Sequence, residues 1–382
     1  MEIGLLGHGT VGSGIDRIIT SANTQDTQKL HIKRILVKDQ SEVTDERMTV
    51  SFDDILKDKS IDTVAECMGG IHPTYEYVSQ ALRAHKNAVT SNKKMLAHYY
   101  AELMQMAQEN HVTLKYEAAV AGGIPWIEQL NRTKRIDEIS DFHGIFNGTT
   151  NYILSNMTEN GIRFDEALAL AQKKGYAEQN PSDDIDGMDV RYKVFLSCAA
   201  AYGMLADLNS IAAYGIRNIS VQDIEYARQH NRTVKMIGRG HRNANTLSCS
   251  AMPAFVDHAN PLSHISQNLN ACVLDSDTLG TIMLIGQGAG SLPTAHAAVQ
   301  DLIDIEKGIG NAYMHADTCL IDNQLNKSVY YIRSKKEVCF SGIIDEMAGE
   351  DAFLSIPVSL DEASSLILSA DDLELFIAEV MK

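Results

Sequence analysis

Residues 3–14 read IGLLGHGTVGSG, a GxGxxG pattern that directly follows a short apolar run and opens a helical pattern. In such a turn the first glycine allows the tight bend, and the second lets the main chain approach a pyrophosphate. The third glycine allows close contact between strand and helix, and the helix N-terminus favours anions. A glycine turn without a ligand is the alternative. The pattern predicts dinucleotide binding by Gly7, Gly9, Thr10, Val11 and Gly12.

The residues around this turn alternate short apolar runs with amphipathic ones. Strand-like runs lie at 2–7, 31–37, 61–67, 87–91 and 112–118, and helical patterns lie at 74–85 and 96–109. Such alternation is typical of a parallel sheet covered by helices. We therefore predict a Rossmann-type, doubly wound NAD(P)-binding domain over residues 1–127.

The pattern changes near Pro125, where strand-like and helical runs stop alternating regularly. Strand-like runs at 136–146, 233–240, 246–256 and 272–286 accompany helical patterns at 151–161 and 164–175. Turn residues between the later runs favour a mostly antiparallel sheet. This predicts a second α/β domain, the substrate and catalytic domain, over residues 128–290.

The last ninety or so residues begin with an amphipathic helical pattern at 291–308. We expect the segment 291–312 to return to the nucleotide-binding domain. Residues 313–382 then form a short C-terminal α+β segment, with a strand at 328–334 and helices at 340–349 and 371–382. The predicted fold class is thus α/β, with a Rossmann-type domain, a catalytic domain and a short tail.

Composition excludes several kinds of protein. The chain has 382 residues, 45% of them hydrophobic, and a net charge of -17. No window approaches the roughly 18 consecutive apolar residues of a membrane span, and the N-terminus has no basic region typical of a signal peptide. The negative charge disfavours nucleic acid as a partner, and six scattered cysteines without a CxxC argue against a zinc site. We expect a cytoplasmic protein with reduced thiols.

The stretch GYAEQNPSDDIDGMDVRYK at 175–193 places five carboxylates before a lysine that opens a charge-free run, 194–206. Asp189 and Lys193 are four residues apart and share one helix face. Helix capping explains Asp184 but does not explain the lysine, and an EF-hand loop would require a glutamate where Lys193 stands. A lysine beside carboxylates predicts a proton donor in a site for an amino-acid-like substrate.

Three further motifs carry candidate chemistry. Lys93 follows a strand end, where a lysine could polarise a carbonyl oxygen, although a solvated pair with Lys94 is the alternative. Lys38 and Asp39 lie where the ribose 2′-OH or 2′-phosphate of the cofactor is recognised; the lysine favours NADP and the aspartate disfavours it, with two solvated turn residues as the alternative. We predict a preference for NADP over NAD. In YEAAVAGGIPWI, Glu117 and exposed carbonyls could hold a hard cation such as sodium, with a plain tight turn as the alternative.

Five motifs together resemble the homoserine dehydrogenase family over residues 1–310. They are GHGTVGSG, SNKKMLA, YEAAVAGGIP, FNGTTNYIL and AEQNPSDDIDGMDVRYK, in the family's order. The resemblance implies NAD(P)H-dependent interconversion of L-aspartate 4-semialdehyde and L-homoserine, on the route to threonine, methionine and isoleucine. It also implies a homodimer, although the sequence shows no interface.

The resemblance also implies site residues. Lys193 matches the proton-transfer lysine and Lys93 its partner near the reacting oxygen and the cofactor. The residues that contact the substrate or line its pocket would be Glu178, Asp184, Asp189, Thr149 and Tyr176. A sodium or potassium site would use the carboxylate of Glu117 and the main-chain carbonyls of Val120, Gly122 and Ile124.

The C-terminal segment resembles the βαββαβ ACT domain of many family members only in part, because its sequence yields one clear strand. The resemblance therefore implies a reduced ACT-like segment, and threonine feedback has no support in the sequence. Two other functions are considered. One is a reductase of another small carbonyl compound, and the other is a non-catalytic NAD(P)-binding sensor, which would need neither Lys93 nor Lys193.

Overall fold

The structure is a computed structural model, which describes residues 1–21, 23–310, 317–324 and 326–382. It divides into two compact units, one formed by 1–132, 199–203 and 287–317, the other by 133–198, 204–286 and 318–382. Positions 311–316, which end the predicted returning segment and begin the predicted tail, lie outside the described residues. The domain limits given above stay predictions. In the described part of the chain no helix is both long enough and apolar enough to cross a membrane.

The first unit contains a six-stranded parallel sheet in the order β3-β2-β1-β4-β5-β6. Its strands are β1 Glu2–Leu6, β2 His31–Leu36, β3 Met48–Thr49, β4 Thr63–Glu66, β5 Asn87–Thr90 and β6 Leu114–Lys115, and its helices are α1 Thr10–Thr20, α2 Asp53–Leu56, α3 Thr74–Arg83, α4 Lys93–Glu109 and α5 Trp126–Thr133. The chain winds outward from β1 in both directions, which confirms the doubly wound fold. The crevice beside β1 is where such sheets bind ligands.

The second unit is built on a larger sheet, most of whose strand pairs are antiparallel. Its first elements are β7 Ile139–Ile145, α6 Gly148–Asn160, α7 Phe164–Lys173, α8 Ser182–Ile185, α9 Met188–Tyr202, β8 Met204–Ala206, β9 Ala212–Ala213, α10 Val221–Gln229, β10 Arg232–Asn243, β11 Thr246–Asp257, β12 Leu269–Ser276 and β13 Gly280–Gln287. The pairs β12–β7, β7–β10 and β10–β11 are antiparallel. The sequence missed α10 and the short strands β8 and β9.

Two glycines on β10 explain how α9 approaches the sheet. A Cβ atom at Gly238 would lie 2.8 Å from side-chain atoms of Val190 and Val194, and one at Gly240 would lie 3.0 Å from the Cys198 sulfur. The glycines therefore leave room for the apolar side chains of α9. The charge-free run after Lys193 is a buried helix, as the sequence predicts, but only as far as Tyr202, because residues 204–206 form strand β8.

Helix α11, Ser291–Glu306, follows β13 and packs within the first unit. Its residues Ala295, Val299 and Leu302 belong to the same buried cluster as Ile3 and Ile15 of β1 and α1. The close approach of α1 and α11 needs a glycine, because a Cβ at Gly14 would lie 2.8 Å from Ala295.

The C-terminal residues extend the sheet of the second unit. The remaining elements are β14 Asp317–Ile321, β15 Lys327–Ser328, β16 Tyr330–Arg333, β17 Ile344–Met347, β18 Ala352–Ser355, β19 Val358–Ser359, α12 Leu360–Ala370 and β20 Phe376–Met381. Four of these strands lie in the order β20-β16-β18-β17, and β20 joins β11 in parallel. A 3₁₀ turn at Glu337–Phe340 stands between β16 and β17.

Two predicted helices of the tail are wrong. Residues 344–347 form β17 rather than part of a helix at 340–349, and residues 376–381 form β20 rather than part of a helix at 371–382. Strand β20 is apolar at nearly every position because both of its faces are buried, and periodicity alone cannot separate such a strand from a buried helix. The helix lies instead at 360–370, where Ser359 and Glu362 form a capping box.

Candidate active site

The glycine-rich turn has the geometry that its sequence predicts. Gly7 adopts φ +93°, and a Cβ at Gly12 would lie 2.1 Å from the Gly7 carbonyl oxygen, so strand and helix approach too closely for a side chain. At Gly9 a Cβ would meet no atom within 4 Å. The exposed N-terminus of α1 begins at Thr10 beside that open space, with no acidic residue in its first turn. These features fit a pyrophosphate.

Lys38 and Asp39, two and three residues past the end of β2, are exposed. Arg47, near the neighbouring β3, donates to Asp16 at 2.8 Å and to Asp45 at 2.7 Å. Because two carboxylates already hold the Arg47 guanidinium, the exposed lysine is the more accessible cation beside this strand end.

Lys93 is the first residue of α4 and is partly buried. Its helix begins with a cap from Asn92, whose Oδ1 accepts from the Met95 N–H at 3.0 Å. The α4 N-terminus follows β5 directly, at the carboxyl edge of the parallel sheet. The cap fixes the main chain from which the Lys93 side chain projects.

The candidate cation site centres on Glu117, whose side chain is buried. Its two carboxylate oxygens accept from the N–H groups of Ile127 at 2.9 Å and Glu128 at 2.7 Å, in the first turn of α5. Asp301 of α11 accepts from the Glu117 N–H at 2.8 Å. The sequence missed Asp301, because it lies more than 180 positions away and carries no local signal.

Both acids resist ionisation. Burial, assisted by the neighbouring Asp301 charge, raises the pKa of Glu117 to about 8, and burial raises the pKa of Asp301 to about 7. Two adjacent carboxylates in a buried position favour a bound cation. The main chain at Val120, Gly122 and Ile124 lies in the tight turn that follows Glu117, and Gly122 has φ +60°. The residues therefore fit a monovalent cation held by oxygen atoms.

The second unit brings together Asp189 and Lys193 on one face of α9. The Lys193 ammonium donates to Asp189 Oδ2 at 2.6 Å and to the Phe146 carbonyl at 2.7 Å. Both side chains are more than nine-tenths buried. Burying this ion pair is tolerable because the lysine proton donors have two acceptors at close range.

Asn147 is a site residue that the sequence argument did not identify, although it lies within FNGTTNYIL. Its Nδ2 donates to Asp184 Oδ1 and Asp189 Oδ2, both at 2.7 Å, while its Oδ1 caps α6 through the Thr150 N–H. An asparagine before a helical pattern is a recognisable N-cap signal. Its two carboxylate partners, in contrast, are 37 and 42 positions away.

The other predicted substrate residues lie in the same unit. Thr149 donates its hydroxyl to the Tyr176 carbonyl at 2.6 Å, and the Tyr176 ring stacks obliquely on Tyr152 at 4.9 Å. Glu178 is exposed, and its main-chain carbonyl accepts from Gln172 at 3.1 Å. The structure thus groups Asp184, Asp189 and Lys193, joins Thr149 to Tyr176, and leaves the Glu178 side chain at the surface.

One cluster outside these groups has ligand-type side chains, Asp141, His143 and Asp275 on neighbouring strands. Asp141 accepts from His143 at 2.8 Å and lies 3.4 Å from Arg239. Although burial opposes ionisation, these contacts and His241 hold the pKa of Asp141 well below its usual range. Its charge is therefore already compensated by protein groups.

Comparison with known proteins gives a consistent result. A family model described as "Homoserine dehydrogenase, NAD binding domain" matches residues 7–117, and one described as "Homoserine dehydrogenase" matches residues 125–303. The homoserine dehydrogenase of Lactococcus lactis is 35% identical over 319 residues, which are 80% of this chain and 74% of the relative. That of Bacillus subtilis is 34% identical over 328 residues, 82% and 76% of the two chains.

Solved structures of homoserine dehydrogenases are also similar to this chain. A homoserine dehydrogenase from Thiobacillus denitrificans matches with a TM-score of 0.90 at 28% identity, covering 100% of this chain and 98% of that one. A hyperthermophilic archaeal homoserine dehydrogenase, solved in complex with NADPH, matches with a TM-score of 0.70 at 26% identity, covering 81% and 98%.

Proposed function

The chain belongs to the homoserine dehydrogenase family, and on that premise we propose which of its residues perform the reaction. The protein is an NAD(P)-dependent oxidoreductase that acts on a CH–OH group, and it interconverts L-aspartate 4-semialdehyde and L-homoserine. When bound, the nicotinamide supplies the hydride to the aldehyde carbon. The residue roles below are our proposal.

Lys193 delivers the proton to the substrate oxygen. Its buried ammonium is held by Asp189 Oδ2 at 2.6 Å and the Phe146 carbonyl at 2.7 Å. The third N–H can donate to the aldehyde oxygen as that oxygen becomes more negative. This Lys193–Asp189 pair is the single observation that carries the proposed mechanism.

The acidic groups around Lys193 hold the substrate's ammonium. Asn147 keeps the carboxylates of Asp184 and Asp189 together by donating to both at 2.7 Å. Two acids fixed in this way present acceptor oxygens to a cation. We assign Glu178 the same role from the exposed edge of the site, and we assign Thr149 and Tyr176 to the pocket wall.

Lys93 stabilises the negative charge that develops on the substrate oxygen. It stands at the N-terminus of α4, where the helix end adds a favourable field for an anion. A positive group placed where charge develops lowers the barrier. Lys93 would thus complement Lys193, which supplies the proton itself.

Gly7, Gly9, Thr10, Val11 and Gly12 bind the cofactor pyrophosphate at the start of α1. We propose a preference for NADP, because the exposed Lys38 can pair with a 2′-phosphate. Glu117, with the main-chain carbonyls of Val120, Gly122 and Ile124, would hold Na⁺ or K⁺. The bound ion would offset one unit of the negative charge that the buried Glu117 and Asp301 carry when both are ionised.

The assay that tests this function follows absorbance of the reduced nicotinamide with L-aspartate 4-semialdehyde, in parallel with NADH and NADPH. Sodium, potassium and choline chlorides are compared at equal ionic strength. We expect rapid loss of signal, faster with NADPH than with NADH, and dependent on a small cation. No loss of absorbance with either cofactor in a folded sample would contradict the activity. Equal rates in choline, sodium and potassium chlorides would contradict only the proposed cation site.

The family resemblance and composition support three further proposals: a homodimer, a cytoplasmic location and no nucleic-acid partner. We also propose the domain limits 1–127, 128–290, 291–312 and 313–382. Light scattering of the purified protein tests the dimer directly, and a monomer mass would contradict it.

A further inference from the structure

A buried carboxylate outside the proposed catalytic groups lies at the end of β4. Glu66 is fully buried, and its Oε1 accepts from the N–H groups of Met68 at 2.6 Å and Gly69 at 3.3 Å. Burial raises the pKa of its carboxyl group. Within the described part of the chain its hydrogen-bond donors are these two main-chain N–H groups and the Thr90 hydroxyl, all of them uncharged. Burying a carboxylate among uncharged donors is costly, so its position here points to a role in holding its partners in place.

Glu66 is joined to the neighbouring strand through Thr90. The two residues stand directly opposite each other on β4 and β5, and the Thr90 hydroxyl donates to Glu66 Oε2. The same hydroxyl oxygen accepts from the Asn92 N–H at 3.0 Å. Thr90 therefore links the end of β4 to the residue that precedes Lys93.

Asn92 completes the connection in two directions. Its Oδ1 caps α4 through the Met95 N–H at 3.0 Å, and its Nδ2 donates to the Gly70 carbonyl at 2.5 Å. The loop 67–70 is thus held at one end by Glu66 and at the other by Asn92. The Thr74 hydroxyl also donates to the Gly69 carbonyl, at 2.9 Å.

The same loop borders the glycine-rich turn. A Cβ at Gly7 would lie 3.1 Å from the Cys67 carbonyl oxygen and 3.2 Å from the Met68 Cα. The network therefore connects the turn assigned to the cofactor pyrophosphate with the first residue of α4. All of these atoms belong to the first unit.

We propose that Glu66, Thr90 and Asn92 are positioning residues that hold the start of α4, and with it Lys93, in its working geometry beside the cofactor turn. The inference rests on the proposed role of Lys93. Catalytic groups must be held to within a fraction of an ångström, and small misplacements from distant changes cost large factors in rate. A network with a purely structural role would instead affect stability without affecting the turnover of the folded enzyme.

Thr90 allows a matched test, because Thr90→Val removes the hydroxyl at nearly constant shape while Thr90→Ser keeps it. We expect Thr90→Val to lower kcat by about tenfold or more and Thr90→Ser to stay within about threefold of the parent. Melting temperature and NADPH affinity are measured on the same samples. Assays run well below the melting temperature, so that the folded fraction is equal.

A double-mutant cycle with Lys93→Ala tests whether the network acts through Lys93. We expect Lys93→Ala and the double variant Thr90→Val/Lys93→Ala to have the same kcat. If the losses of kcat in the two single variants multiply in the double variant, the inference is overturned, while the role of Lys93 stays intact. Near-normal turnover of Lys93→Ala alone would overturn that role and, with it, the inference.

Asn92→Asp provides a second variant if Thr90→Val does not fold. It keeps an oxygen to cap α4 but replaces the donor to the Gly70 carbonyl with an acceptor. We expect the same pattern, a loss of kcat that disappears in the Lys93→Ala background. Full turnover in Asn92→Asp would overturn the inference.

Discussion

The two units compensate buried carboxylates in different ways. In the second unit Asp189 accepts hydrogen bonds from the Lys193 ammonium at 2.6 Å and from the Asn147 amide at 2.7 Å. In the first unit the Glu117 carboxylate accepts hydrogen bonds from two main-chain N–H groups and lies beside a second acid, Asp301. The pKa of Glu117 and that of Asp301 are both raised, to about 8 and about 7.

The difference separates two kinds of chemistry. A carboxylate that pairs with a lysine holds an ammonium group in place, and that group can donate a proton to a substrate. A pair of adjacent buried carboxylates with one nearby lysine, Lys115, retains excess negative charge, which a proton or a small cation can offset. We therefore connect the first arrangement with proton transfer and the second with cation binding.

The largest effect on turnover is expected from replacing Lys193, the lysine paired with Asp189. Lys193→Ala should lower kcat by about 10²- to 10⁴-fold, the usual range for a lost acid–base group, with little change in NADPH affinity. Steady-state kinetics and a fluorescence titration with NADPH measure both quantities. Lys173→Ala, at an exposed position on α7, is the control. Near-normal turnover of Lys193→Ala would contradict the role of Lys193 in proton transfer. It would also contradict the functional difference drawn between the carboxylates of the two units.

Asn147 should matter next, because it holds both acids of the second unit. Asn147→Ser keeps a helix-capping oxygen but removes the amide donors, whereas Asn147→Ala removes both. We expect kcat to fall by about tenfold in both variants. This corresponds to the loss of at least one hydrogen bond to a charged group. Only Asn147→Ala should also lose about 1 kcal/mol of stability through the cap. Thermal unfolding and kinetics together distinguish the two contributions, and full activity of Asn147→Ser would contradict this assignment.

The acids of the first unit should make stability depend on pH and on cations. Their pKa values are higher in the folded protein than in the unfolded chain, so the folded state binds more protons between about pH 4 and 8. Their stabilising contribution is present below that range and is lost as pH rises through the folded pKa values. In choline chloride, the melting temperature should therefore fall by a few degrees between pH 5 and 9.

Sodium chloride should reduce that fall, because an ion that binds only the folded state stabilises it. In Glu117→Gln, both the pH dependence and the sodium effect should shrink. Glu128→Gln removes an acid in the first turn of α5 but keeps the main-chain N–H that binds Glu117, and it is the control. Its effect should be smaller, because the Glu128 charge makes only a minor contribution to the raised pKa values of Glu117 and Asp301. An unchanged sodium effect in Glu117→Gln would show that the ion binds elsewhere.

The smallest effect is expected at an exposed charge. Lys38→Ala should raise the KM for NADPH by up to about tenfold, equivalent to about 1.4 kcal/mol, and leave the KM for NADH nearly unchanged. Asp39→Ala should improve NADPH use slightly, because it removes a negative charge beside the 2′-phosphate. Equal changes with both cofactors would argue against a role in reading that phosphate.

Local patterns predicted much of the first unit. The GxGxxG turn, the five main parallel strands and their helices follow from apolar periodicity over short segments, and the structure confirms them. The antiparallel strands β10 to β13 were also predictable, because turn residues separate alternating runs. The sequence misses α10, β8 and β9 in the second unit, and in the tail it predicts helices where β17 and β20 lie. Strand β20 has two buried faces, and its apolar run has no alternation to mark it.

The four-stranded arrangement of that tail could not be predicted from one clear strand. From β16 onward, and leaving out the two-residue strand β19, the segment runs strand, 3₁₀ turn, strand, strand, helix, strand, which is a reduced form of the βαββαβ pattern. This order supports the reduced ACT-like segment that the family resemblance implies. It depends on pairing across long sequence separations, and β20 joins β16 only after α12 has returned the chain to the sheet.

The sequence by itself determined the features that depend on neighbours along the chain. The glycine turn needs three glycines within six residues, and the Asp189–Lys193 pair needs only one helical turn, so both can be read directly. Tertiary structure alone decided which distant groups complete each site: Asn147 for Asp184 and Asp189, Asp301 for Glu117, and Glu66 for Thr90 and the α4 start. Hydrogen bonds between residues far apart in sequence leave no periodic pattern, because packing of whole elements brings their atoms together.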